Sequence, residues 1–236
     1  MTPIQSCILD KNKNVNPIWI MRQAGRYLPE FRKIRADNKN FIKLCLNKKL
    51  VPTITLQPLK RFHLDAAIIF SDILMIPFGL GQEVKFKKDF GPNLSSIDLN
   101  STLKINSNQF LNTLKPIYDS IEITAKDNLM NNKDLIGFVG APWTLLVYMI
   151  NKVSPKNGLN KDFFKEKNYF KDFFKIIKTF TKLHILNQIK SGATMIQIFD
   201  SWAGLVKEEN LEEYIYSPTK EIVDYVKSLN IPVICF

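Results

Sequence analysis

The sequence predicts an α/β fold in which parallel strands are joined by helices. Short continuous apolar runs alternate with helix-period segments five times along the 236 residues, the pattern of strand–helix–strand crossovers. The conspicuous polar residues fall just past those runs. The length and the hydrophobic content of 45% support one large domain with a proper core, or at most two small ones, and the chain is read as a single domain over residues 1–236. Parallel strands require right-handed crossovers and a sheet covered on both faces, which a doubly wound sheet and a (β/α)8 barrel both satisfy. No glycine-rich phosphate fingerprint follows the first run, which counts against a dinucleotide-binding sheet.

The elements follow in order. Residues 3–10 read as a short helix and 11–16 as a polar connector. Ile18–Met21 reads as a buried strand. A helix starts over Pro29–Arg35, with proline suited to the first turn. Residues 40–47 and 52–62 read as helices. Asp65–Phe70, DAAIIF, reads as a strand buried on both faces. Residues 82–90 alternate apolar and polar and read as a hairpin or edge strand. Residues 91–108, rich in Asn and Ser, read as loop. Residues 109–131 form a helix with the stripe Phe110, Leu114, Ile117 and Ile121. Leu135–Val139 is the next strand, followed by Gly140, Ala141, Pro142 and a helix bearing Trp143 and Tyr148. Residues 161–190 read as one or two amphipathic helices. Thr194–Phe199 is a strand, 208–229 are helical, and Pro232–Phe236 is a fifth strand.

The formal charge of +11 favours anionic partners. The lysines are spread rather than blocked, and no nucleic-acid-binding signature appears, so a nucleic-acid partner is not expected. Cys7, Cys45 and Cys235 lack close spacing and read as reduced thiols of a cytoplasmic protein. No signal peptide and no bilayer-length apolar run is seen, so no membrane association is expected.

Arginine is rare: five residues against twenty-eight lysines. Four of the five, Arg22, Arg26, Arg32 and Arg35, lie within PIWIMRQAGRYLPEFRKIR. Arginine where the chain otherwise uses lysine points to bidentate recognition of carboxylate or phosphate. Gly25 between Arg22 and Arg26 is read as a sharp turn or a close approach to a ligand. The bland alternative is a solvated basic helix face, which suits Arg32 and Arg35 better than Arg22 and Arg26.

Strand ends gather the other candidates. Asp72 follows the second apolar run, Tyr148 the third, and Asp200 and Ser201 the fourth. In a (β/α)8 barrel such ends form the floor of the active site. Here the residues carry a resemblance. PIWIMRQAGRYLPEFR and GFVGAPWTLLVYMI resemble the two signatures of the uroporphyrinogen decarboxylase family. LQPLKRF, DAAIIFSDIL and IQIFDSWAG match further family blocks in the same order. The resemblance runs from about residue 4 to the last residue.

The resemblance implies a (β/α)8 TIM barrel, here with about five of eight strands, that forms a homodimer and needs no cofactor. The implied reaction turns the four acetate side chains of uroporphyrinogen III into methyls, giving coproporphyrinogen III in haem biosynthesis. By matching motif, Arg22, Gln23, Ala24, Gly25 and Arg26 bind substrate. Asp72 is the central carboxylate, Tyr148 and Ser201 line the cleft, and Arg35 belongs to the same basic rim. Asp72 and Arg22 are the implied catalytic residues. Asp72 is expected to stay ionised, with nearby arginines lowering its pKa. Family members run on beyond this length, and a histidine the family places near its C-terminus has no counterpart here. The chain is therefore read as a fragment whose open strand edge favours aggregation and inactivity.

Blander readings stand beside these. Asp72 and Ser201 can cap helices, and Tyr148 can be a core phenol. Asp200 reads as structural, and Trp19, Trp143 and Trp202 as packing. His63 and His184 read as non-catalytic. Related barrels include zinc- and corrinoid-dependent methyltransferases, but neither histidine has a cysteine at ligand-like spacing, so no metal site is expected. A non-enzymatic polyanion binder is the third reading.

Overall fold

The computed structural model describes residues 1–87, 91–97, 102, 104–161, 163 and 168–236. The expected hairpin therefore lies outside the described residues at 88–90. The expected loop does so at 98–101 and 103, and the helical stretch at 162 and 164–167.

The first part of the chain carries α1 (Pro3–Leu9), α2 (Pro29–Asp37), α3 (Phe41–Cys45), α4 (Leu50–Arg61), β1 (Ala66–Ile68) and α5 (Met75–Gly79). An antiparallel hairpin, β2 (Val84–Lys87) and β3 (Gly91–Leu94), precedes α6 (Ser107–Ala125). Then come β4 (Asp134–Gly140), α7 (Pro142–Asn151), α8 (Phe170–Lys190), β5 (Met195–Phe199), α9 (Ser217–Ser228) and β6 (Val233–Cys235). The main sheet is wholly parallel, in the order β1-β4-β5-β6. This is the strand–helix order of an incomplete (β/α)8 barrel.

Among the described residues four strands enter the ladder. The fifth expected one, Ile18–Met21, is not a strand, and Met21 already belongs to a turn. Its hydrogen bonds to β1's approach run through Asp65: the Asp65 N–H donates to the Ile18 carbonyl at 2.8 Å, and the Ile18 N–H to Asp65 Oδ2 at 2.7 Å. Ile18 and Ile20 are exposed there, so that run is not buried as expected. The outer edge of β1 is instead occupied by a side chain. Gln23 Nε2 donates to the Ala66 carbonyl at 2.8 Å, and the Ile68 N–H donates to Gln23 Oε1 at 3.2 Å.

Alternation along the strands sends side chains to two faces. Ala67, Ile69, Leu135, Val139, Ile196 and Ile198 join the large core under the helices. The stripe Phe110, Leu114, Ile117 and Ile121 on α6 is buried in that core, as its periodicity predicts. The other face gathers Ala66, Ile68, Ile136 and Met195 around Ile4 of α1. That end is tied by Asp134, which accepts from Thr2, from Gln5 Nε2 at 2.8 Å and from Thr194 Oγ1 at 2.7 Å. The 208–229 stretch is helical as expected, built from a 3-10 turn, a π turn over Glu212–Tyr216 and then α9.

A second glutamine extends the pairing where β1 ends. Gln188 of α8 accepts from the Phe138 N–H and donates to the Phe138 carbonyl, both at 3.0 Å. Gly137 makes room for it: a Cβ there would stand 2.5 Å from Gln188 Oε1. Gln188→Leu, which leaves both Phe138 groups unpaired, is expected to cost about 2 kcal/mol of unfolding free energy. Urea denaturation checks this, and a midpoint equal to wild type would show that the amide contributes nothing.

Candidate active site

A cavity of about 470 Å³ opens at the carboxyl ends of the strands. Its floor runs from Ile68 of β1 through Ser71, Asp72 and Leu74. Met21, Arg22, Gln23 and Ala24 form one side, and Tyr148 of α7 and Ser201 another. Of the residues expected from sequence, Arg22, Gln23, Ala24, Asp72, Tyr148 and Ser201 all line this cavity. Gly25 and Arg26 do not.

Asp72 sits four residues beyond β1, in the loop before α5. Its Oδ1 accepts the Leu74 N–H at 2.8 Å, so the turn-capping reading and the cavity-lining reading both hold. No cation among the described residues pairs with it. Burial pushes its pKa up to about 6, with the Leu74 N–H opposing. The expected lowering by neighbouring arginines is thus corrected. Arg22 is exposed and makes no hydrogen bond or ion pair among the described residues, and desolvation of the carboxylate wins.

Arg22 and Gln23 have different placements. The Gln23 amide is 1% exposed and locked to β1, so it anchors the segment. The neighbouring Arg22 guanidinium is left free at the cavity. Arg26 is exposed, and its carbonyl accepts from Arg32 Nη1 at 2.7 Å. Gly25 has no positive φ, and a Cβ there would meet only the Tyr27 ring at 3.5 Å, so the turn does not require glycine. Arg35 lies behind the rim, its guanidinium 5.7 Å from the ring centre of the lining residue Phe41.

Tyr148 is half-buried. Burial raises its phenol pKa, opposed by the neighbouring Trp202 and Ser154 side chains and reinforced by the charge of Asp72. Asp200, read as structural, accepts from Thr144 Oγ1 at 2.8 Å, and burial raises its pKa. Trp143 is fully buried and stacks on Tyr214 with ring centres 5.4 Å apart. His184 is buried against Tyr118, 2.9 Å from Nδ1 to the phenol, and burial lowers its pKa to about 3. His63 is exposed. Among the described residues no three His, Cys, Asp or Glu side chains cluster as a metal-binding set.

Sequence reading missed the aromatic walls. Phe41, Phe70, Phe86, Phe138 and Phe199 line the cavity, with Phe41 and Phe86 ring centres 4.6 Å apart. The available signal was Phe86 within the alternating 82–90 segment. Nothing local distinguishes such rings from core residues.

An acidic side chain, a guanidinium unpaired among the described residues, a phenol and a hydroxyl surround an aromatic cavity at strand ends, the place of a candidate site in a barrel-type fold. The profile of the uroporphyrinogen decarboxylase (URO-D) family matches residues 2–236. A Rickettsia felis protein named uroporphyrinogen decarboxylase is 41% identical over 232 residues, covering 97% of this chain and 67% of its own length. One of the same name from Rickettsia bellii is 41% identical, covering 100% and 70%. A third, from Chelativorans sp., is 40% identical, covering 93% and 65%. The chain belongs to the uroporphyrinogen decarboxylase family and spans about two thirds of the length of these relatives. A solved methyltransferase from Methanosarcina mazei shares the fold at a TM-score of 0.75 and 13% identity, covering 99% of this chain and 68% of its own.

The raised pKa of Asp72 links pH to stability. Between the unfolded carboxylate value near 4 and about 6, the folded chain holds the extra proton. Stability therefore falls as pH rises through that window. Asp72→Asn is expected to raise unfolding free energy at pH 7.5 by about 1–3 kcal/mol, the gain vanishing below pH ~4. Denaturation curves at both pH values check this; a variant no more stable at pH 7.5 would contradict it.

Proposed function

We propose that this chain removes the carboxyl groups of the four acetate side chains of uroporphyrinogen III, giving coproporphyrinogen III. The observation that carries the reading is Asp72 and Arg22 facing one cavity at the strand ends of a chain of this family. Asp72 and Arg22 are the catalytic pair; Gln23 and Ala24 shape the segment, and Tyr148 and Ser201 bound the cleft. Gly25 and Arg26 act from outside the cavity lining. The reaction runs in the cytoplasm, needs no cofactor or metal, involves no nucleic acid or membrane, and belongs to a homodimer.

The chemistry follows from the ring. A pyrrole acetate holds its carboxyl group until a ring carbon is protonated, which turns the ring into an iminium. The electron pair of the breaking C–C bond then flows into that cation and carbon dioxide leaves. The exocyclic methylene left behind takes a proton to become methyl, and the ring carbon loses its own. Asp72, with Oδ1 held by the Leu74 amide, faces the pyrrole N–H groups with its other oxygen and stabilises the developing charge. Arg22 holds a substrate carboxylate bidentately. The ring proton comes from Arg22 or a bound water, and arginine is a poor acid in water.

Coproporphyrinogen formation by the purified chain tests this. Asp72→Asn is expected to lower kcat by roughly 10²–10³. In wild type, kcat/KM is expected to fall as pH drops through about 6, because neutral Asp72 no longer offsets the cation. Unchanged turnover in the variant would overturn the role of Asp72. Stoichiometric zinc in the purified protein would favour a corrinoid methyltransferase instead.

A further inference from the structure

Ser201 reaches the cavity from a turn that has its own fastening. Ser201 itself is exposed, and the residues on either side are held by one buried hydroxyl. Thr144 Oγ1, on α7, donates to Asp200 Oδ1 at 2.8 Å and accepts from the Trp202 N–H at 3.1 Å. The preceding residue joins in, with Trp143 Nε1 donating to the Trp202 carbonyl at 3.0 Å. Thr144 is 0% exposed and does not line the cavity, so it cannot touch a ligand there. Tyr148 lies one helical turn further along α7 and does line the cavity. The Thr144 hydroxyl thus ties both neighbours of Ser201 to the helix that carries Tyr148, beside the Trp143 bond and the bond from the Asp200 N–H to the Phe236 carbonyl at 2.7 Å.

We propose that Thr144 is a positioning residue, clamping the Asp200–Trp202 turn so that Ser201 is presented to the substrate in register with Tyr148. A threonine suits the task because its hydroxyl donates and accepts at once while its methyl stays in the core. Valine keeps the shape and loses both bonds. The kinetic part of this inference rests on the decarboxylase reading; the structural part does not.

The test has two arms. A crystal structure of Thr144→Val is expected to show the 200–202 turn displaced, and a turn superposing on wild type overturns the clamp whatever the activity. In kinetics, Thr144→Val is expected to lower kcat/KM about tenfold, since small misplacements at a site act at this scale. Thr144→Ser is expected to stay within about twofold, since it keeps the hydroxyl. In a Ser201→Ala background the same valine change is expected to cost less than about twofold, because the wall it positions is gone. Equal losses in both backgrounds would mean a merely structural role and overturn the proposal. Should the valine variant not fold, as read by its melting temperature, Thr144→Ala takes its place in both arms. If wild type forms no coproporphyrinogen, the decarboxylase reading fails, while the crystal structures still decide the clamp.

Discussion

Parallel pairing is the constraint from which the site follows. Strands that run the same way release their chains on the same side of the sheet. β4 pairs with both β1 and β5, so the segments leaving all three emerge together. Asp72 leaves from β1, Tyr148 from the helix after β4, and Ser201 from the turn after β5. Residues more than a hundred positions apart meet because the ladder allows no other arrangement of those ends.

The ladder needs help at its margins, and glutamine supplies it twice. β1 is only three residues long, and its outer backbone groups would otherwise be unpaired. Gln23 pairs them from a cavity-lining segment, and Gln188 pairs the groups of Phe138 beyond the end of β1. An unpaired buried backbone group is costly, so each amide has a structural reason. In the first case the reason bears on the site, because anchoring Gln23 fixes where Arg22 stands.

The electrostatics run opposite to simple charge pairing. A chain of net charge +11 holds its central carboxylate without a cationic partner among the described residues. Desolvation raises the energy of the ionised form, and a positive charge arriving in the cavity relieves it. On the proposed reaction that charge is the protonated pyrrole itself. A resident arginine salt bridge would compete for the same oxygen. Arg22 is exposed and unpaired among the described residues, which leaves both charges available to a ligand.

Much of this was legible before any coordinates. Apolar runs identified four parallel strands, and the stripe on α6 marked a core helix because periodicity follows directly from backbone geometry. Ordered motifs located Arg22, Asp72, Tyr148 and Ser201, since chemistry-bearing residues are distinguishable by type. The sequence did not reveal that Ile18–Met21 stays outside the strand ladder, because an apolar run is alike whether or not a neighbouring strand offers a full row of hydrogen bonds. Nor did it separate Gln23 as an anchor from Arg22 as a free cation, or Phe86 as a cavity wall from Phe110 as core. The direction of the Asp72 shift was also out of reach, since burial and the distance to each guanidinium exist only once the chain has closed. Residue types and their order are local properties and are written in the chain. Pairing, desolvation and convergence depend on neighbours distant in sequence, and only the tertiary structure decides them.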